Sequence, residues 1–107
     1  MVHFFFYNYL TNIELLNRIS PFHTIKIGYI YITEFNKIDN KLILASQNSQ
    51  NNKLPGLLVY FELTLEEILQ KIENIDEIKY KNRNSYNLEI VDVYITNKPV
   101  SEAYIIY

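Results

Sequence analysis

A carboxylate at the end of an apolar helical stripe is the side chain of this sequence best suited to chemistry. The apolar face predicted from Leu65 onwards centres near Leu65 and Ile72, and Asp76 follows Ile72 by four positions. Four-residue spacing places two residues on one face of a helix. Burial there would disfavour the charged carboxylate and raise its pKa, which suits proton transfer near neutral pH. The alternative is that the helix ends by Ile75 and that Asp76 is a surface residue.

Other reactive residue types are absent or poorly placed. The chain has no cysteine, which excludes disulfides, thiolate metal sites and a cysteine nucleophile. Its two histidines, His3 and His23, are not at metal-ligand spacing, so a partly buried or strand-edge position is predicted for each. No metal site is expected. The net charge is −2 and the basic residues are scattered, which argues against nucleic acid as a partner.

The elements that must position Asp76 follow from hydrophobic periodicity. One helix is predicted from a capping box with Thr11 as N-cap and Glu14 at N3, and a second from the capping box Thr64 to Glu67. Gly28 is expected to mark a bulge or bend in its strand, and Pro55-Gly56 to close a loop. The predicted strands are Val2–Tyr7, Thr24–Thr33, Lys41–Ala45, Leu57–Glu62, Asn87–Thr96 and Glu102–Tyr107. Strands outnumber helices, which predicts an α+β fold with a mixed or barrel-like sheet.

Length and composition limit the organisation of the protein. The 107 residues are 49% hydrophobic, which fits one domain over residues 1–107 with its own core. The N-terminal segment lacks a basic region, and its apolar run is too short for a signal sequence or a membrane span. The expectation is a soluble, cytoplasmic protein without a membrane partner.

Five segments occur in an order that resembles one protein family. The segment Phe4–Leu10 (FFFYNYL) resembles a first strand followed by a YG(S/T)L loop, and Pro55–Tyr60 (PGLLVY) is similar to a GxLY strand. Ile72–Arg83 (IENIDEIKYKNR) resembles LDxxEGxxYxxR in spacing. Val91–Ile95 resembles the strand that follows, and Ala103–Tyr107 a closing AxxY strand. Order and spacing over nearly the whole chain make this sequence resemble the γ-glutamylcyclotransferase-like family.

The resemblance implies a small mixed β-barrel with flanking helices and a cofactor-independent reaction. In such proteins the loop that corresponds to Tyr7, Asn8, Tyr9 and Leu10 binds the substrate's α-carboxylate through backbone N–H groups. The acidic residue that corresponds to Asp76 moves the proton while the glutamyl amine attacks its own γ-carbonyl. The products are 5-oxoproline and a released amine or amino acid. The implied partner is a small γ-glutamyl or other anionic metabolite, and the oligomeric state stays open.

Four departures from the family pattern leave alternatives to an active enzyme. Asp76 replaces Glu and is one methylene shorter, and a misplacement of about 1 Å can cost on the order of 10²-fold in rate. Asn8 and Glu77 replace glycines, and Tyr9 replaces a small hydroxyl residue. The first hypothesis is a cyclotransferase with Asp76 as general base and acid. The alternatives are a catalytically impaired relative that binds a small ligand, and a protein-interaction module with exposed tyrosines.

Overall fold

Five strands and two helices make up the described part of the protein. The computed structural model describes residues 1–7, 12–31, 53–75 and 86–106. The elements, in chain order, are β1 (Val2–Phe6), α1 (Ile13–Ile19), β2 (His23–Tyr31), β3 (Lys53–Phe61), α2 (Leu65–Glu73), β4 (Leu88–Ile95) and β5 (Lys98–Ile106). The α+β class predicted from the sequence is confirmed. The predicted strand Lys41–Ala45 lies outside the described residues.

The order of the strands closes on itself. Neighbours follow one another as β1-β3-β2-β4-β5, and β5 pairs back with β1. The β1–β5 pairing is parallel, whereas all other described pairings are antiparallel. Two junctions rest on one residue pair each, Phe4 opposite Tyr104 and Tyr29 opposite Tyr94. A closed order gives the sheet an enclosed face and an outer face.

Alternation along the strands fills both faces of the sheet. All five strands and neither helix contribute to the inner cluster, which consists of Phe5, Tyr7, Ile30, Leu54, Leu58, Val93, Ala103 and Ile105. The helix-side cluster joins α1 and α2 to the outer face and consists of Phe4, Phe6, Leu15, Leu16, Ile19, Val59, Phe61, Ile68, Leu69, Ile72, Ile75, Tyr86 and Ile106. Successive phenylalanines of β1 therefore enter opposite cores, which explains the continuous aromatic run of this strand.

The cap of α1 differs from the prediction. Asn12, and not Thr11, is the N-cap, because the Asn12 side chain accepts a hydrogen bond from Glu14 N at 2.9 Å. Thr11 itself lies outside the described residues. Asparagine is as good an N-cap as threonine, so the sequence pattern alone could not separate two adjacent candidates.

The predicted capping box of α2 is confirmed. Thr64 Oγ1 accepts from Glu67 N at 3.3 Å, and the Glu67 carboxylate accepts from Thr64 N at 3.4 Å. The predicted apolar face is also present, with Ile68, Leu69 and Ile72 buried. No helix in the described ranges is long and apolar enough to cross a membrane.

The two glycines of the chain lie opposite each other in β2 and β3. Gly28 pairs with Gly56 without interruption of the register, so the bulge predicted at Gly28 is wrong. A register shift occurs in β4 instead, between Val93 and Tyr94. A Cβ on Gly56 would lie 2.3 Å from the Phe6 carbonyl oxygen, and one on Gly28 would lie 2.9 Å from the Tyr94 carbonyl oxygen. Glycine is needed here because neighbouring strands approach too closely for a side chain.

Strand β3 begins earlier than predicted, and β4 and β5 form a tight hairpin. Pro55 and Gly56 lie inside β3 and do not close a loop, since Pro55 pairs with Tyr29. The hairpin turns at Thr96 and Asn97, whose φ angles are 52° and 65°. Positive φ at both positions is typical of a type I′ turn, which matches the twist of the strands.

Candidate functional site

Helix α2 ends before it reaches the predicted proton-transfer residue. Its last residue is Glu73, and Asn74 is the C-cap. Ile75 follows outside the helix, with its N–H bonded to the Ile72 carbonyl oxygen at 3.2 Å. The helical projection that placed Asp76 on the apolar face is therefore wrong in its premise, because it requires a helix as far as Asp76. Asp76 itself lies outside the described residues.

Burial nevertheless continues beyond the end of the helix. Ile75 is only 5% exposed and belongs to the helix-side cluster. Tyr86 belongs to the same cluster, and its hydroxyl donates a hydrogen bond to Glu73 Oε1 at 2.8 Å. Ile75 and Tyr86, the described residues on either side of positions 76–85, therefore both lie in the same core. Residues 76–85, between these points, carry the predicted proton-transfer residue.

The predicted substrate-binding loop begins at the end of β1. Tyr7 is 3% exposed and packs in the inner cluster, so its side chain is part of the enclosed core. Asn8, Tyr9 and Leu10 lie outside the described residues. Phe6, directly before Tyr7, is a member of the helix-side cluster together with Ile75. The two segments predicted to form the site therefore both start from one apolar cluster.

A concave site lies near His3, at the start of β1, on the enclosed face of the sheet. It has a volume of about 390 Å³ and is lined by His3, Thr24, Lys26, Leu58, Tyr60, Val100 and Ser101. These residues define the His3 pocket. His3 is four residues before Tyr7 on β1, which corresponds to roughly 13 Å along a strand. His3 and Tyr7 therefore lie at opposite ends of this N-terminal segment.

Four adjacent strands, β5, β1, β3 and β2, supply the polar groups of the His3 pocket. His3 on β1 lies opposite Tyr60 on β3, and Thr24 on β2 lies opposite Tyr60 from the other side. The rings of His3 and Tyr60 are in contact, with centroids 4.9 Å apart. Leu58, 4% exposed, belongs to both the pocket lining and the inner cluster. The polar pocket therefore opens directly beside the apolar inner cluster.

The electrostatics of the pocket favour a neutral histidine beside a cation. Burial lowers the pKa of His3 below its usual value, and the Lys26 ammonium lowers it further. Desolvation and a nearby like charge both disfavour the imidazolium. Lys26 therefore carries the positive charge of the pocket near neutral pH.

The residue pattern of β2 contains a signal for this pocket. In β2, Thr24 and Lys26 occupy the same face as Gly28 and Ile30, because side chains alternate along a strand. That face is polar where it lines the pocket and apolar where it enters the inner cluster. The change from polar to apolar side chains on this face occurs at Gly28, where a bulge was predicted, and it coincides with the boundary between the pocket and the inner cluster. His3 has the partly buried position predicted for it.

Comparison with protein-family models, curated proteins and solved structures yields no match for the chain. Function is therefore argued from the sequence and structure of this chain.

Proposed function

We propose that the protein cyclises γ-glutamyl compounds to 5-oxoproline, at a site formed by Tyr7–Leu10 and the segment that begins at Asp76. The observation that supports this proposal best is that each of the two segments follows a residue of the same apolar cluster. Phe6 and Ile75, which precede them, are both buried in the helix-side cluster. In the family that this sequence resembles, the corresponding segments form one pocket beside a small mixed β-barrel. The closed strand order is compatible with that architecture.

The proposed reaction is an internal aminolysis that needs no water. The α-amine of the γ-glutamyl group attacks its own γ-carbonyl carbon, forming the N–C bond of the 5-oxoproline ring. The bond between that carbon and the leaving amine breaks. The Asp76 carboxylate accepts a proton from the attacking amine and returns it to the leaving nitrogen, so atoms and charges balance.

Orientation of the substrate is assigned to the loop after β1. Backbone N–H groups of Asn8, Tyr9 and Leu10 would hold the α-carboxylate, which fixes the amine near its target. Because binding fixes this orientation in advance, the binding free energy offsets part of the entropic barrier of the reaction. The hydrogen bond from Tyr86 to Glu73 holds Tyr86, the first described residue after positions 76–85, against the end of α2.

A carboxylate series at position 76 tests the proposal. Purified protein is incubated with γ-glutamyl dipeptides, γ-glutamylamines and glutathione, and released 5-oxoproline is quantified by mass spectrometry. Asp76→Asn is expected to abolish release. Asp76→Glu restores the missing methylene and is expected to raise the rate, by up to about 10²-fold, because a shift of about 1 Å has effects of that size. Asp92→Asn, at an exposed position of β4, is the matched control and should keep wild-type activity.

Two results would contradict the assignment. Full activity of Asp76→Asn would show that another group moves the proton. No 5-oxoproline from either the wild type or Asp76→Glu, with both proteins folded, would favour the binding-module alternative instead.

A further inference from the structure

The His3 pocket gathers hydrogen-bond donors without an acidic partner among its described lining. Lys26 offers three donors, and the hydroxyls of Thr24 and Tyr60 offer one each, whereas the Ser101 hydroxyl donates to the Glu102 carbonyl oxygen at 2.8 Å. None of the described lining residues is a carboxylate. Glu102 lies in the adjoining groove, which also contains His3 and the exposed Met1. The titratable and charged groups near His3 are therefore Lys26 on β2, Tyr60 on β3 and, in the adjoining groove, the Met1 amino group and Glu102 on β5.

The shape of the pocket favours an anion with an organic body. Its volume of about 390 Å³ exceeds the space that a small inorganic ion fills. Leu58 provides an apolar floor, and the contacting rings of His3 and Tyr60 provide an aromatic wall. Lys26 provides the charge that an anionic group would approach.

We propose that the His3 pocket binds a small organic carboxylate, with its charged group at Lys26 and its apolar part against the His3 and Tyr60 rings. His3 is separated from Tyr7, the one described residue of the proposed cyclisation site, by roughly 13 Å along the strand, and the binding proposal does not depend on cyclisation. The two sites can therefore fail independently.

Protonation of His3 is linked to binding. The free pocket disfavours the imidazolium, because it is desolvated and lies near Lys26. A bound carboxylate places a negative charge beside both groups and raises the pKa of His3. By linkage, affinity falls with rising pH between the free and the bound pKa of His3, by up to about tenfold per pH unit.

The two histidines of the chain make this measurable by proton NMR. Benzoate, which stays ionised across the working range, is titrated against the full chain while the His3 and His23 ring resonances are followed. His23 is the internal control, since its Nδ1–H donates to the Ser20 carbonyl oxygen at 2.7 Å and its ring faces Phe61 outside the pocket. Benzoate is expected to raise the pKa of His3 and to leave that of His23 unchanged.

Two variants test separately how the Lys26 charge and the aromatic wall contribute to binding. Lys26→Gln should weaken benzoate binding about tenfold or more, as expected for loss of a hydrogen bond to a charged group. Lys98→Gln, at an exposed position outside the pocket, is the matched control and should bind like the wild type. Tyr60→Leu should weaken binding of benzoate but not of sulfate, and an unchanged His23 spectrum verifies the fold.

Three outcomes would overturn the proposal. The first is no benzoate effect on His3 at any pH, and the second is an equal effect on His3 and His23. The third is sulfate binding as tight as that of benzoate, which would refute the role of the aromatic wall.

Discussion

Gly56→Ala should destabilise the protein although alanine normally suits a strand better than glycine. In an unobstructed strand this change gains about 0.5–1 kcal/mol through the unfolded state. Here the new Cβ would lie 2.3 Å from the Phe6 carbonyl oxygen and 2.6 Å from Phe5 Cζ. Neither partner can move freely, since one is backbone and the Phe5 ring is 1% exposed. Overpacking in a core costs about 1–3 kcal/mol, and the upper end applies to a backbone contact.

The net expectation for Gly56→Ala is a loss of about 2 kcal/mol in the free energy of unfolding. With urea slopes of about 1–3 kcal/mol per M, the unfolding midpoint should fall by about 1 M. Gly28→Ala is the graded comparison, because its Cβ would lie 2.9 Å from the Tyr94 carbonyl oxygen and 3.1 Å from Val93 Cγ1. It should cost less than Gly56→Ala. A midpoint unchanged or raised in Gly56→Ala would refute the close approach of β1 and β3.

Three further measurements test other parts of the structure. Tyr29→Phe removes a hydroxyl that donates to Asn97 Oδ1 at 3.0 Å and accepts from Asn97 N at 3.1 Å. Urea unfolding should therefore show a loss of about 1 kcal/mol in the free energy of unfolding. Tyr60→Phe is the control and should lose almost no stability, because the Tyr60 hydroxyl has no hydrogen bond within the described residues. Thr64→Ala removes the α2 cap and should cost about 1 kcal/mol by the same assay. His3 has a lowered pKa, chiefly through burial, so the unfolded state binds the proton more readily. Stability should therefore fall as pH drops from the ordinary value of 6.5 through the folded pKa, and His3→Gln should remove this part of the pH dependence.

Local signals in the sequence predicted the elements well where one interaction dominates. The second helix follows from its capping box and from Ile68, Leu69 and Ile72 on one face, which are short-range features. The strand β1 follows from its continuous aromatic run, because only a strand buried on both faces uses such a run.

Features that depend on distant partners were not predictable. Gly28 and Gly56 have meaning only through the strands that approach them, so a single-strand interpretation produced a false bulge and a false loop end. The end of α2 at Glu73 depends on capping at Asn74, and the apolar spacing of Ile75 concealed it. The His3 pocket is assembled by register across four strands, which no local pattern encodes.

The placement of β1 between β3 and β5 has a consequence for aggregation. In the folded protein both backbone edges of this strand are paired, and Phe4, Phe5 and Phe6 are at most 1% exposed. Once the chain unfolds, the segment VHFFFY presents five residues of high β propensity and one histidine, without a carboxylate, an ammonium or a proline. Segments of this kind stack readily into cross-β assemblies. Heating concentrated protein is therefore expected to end in precipitation, whereas urea, which solvates the exposed segment, should permit reversible unfolding.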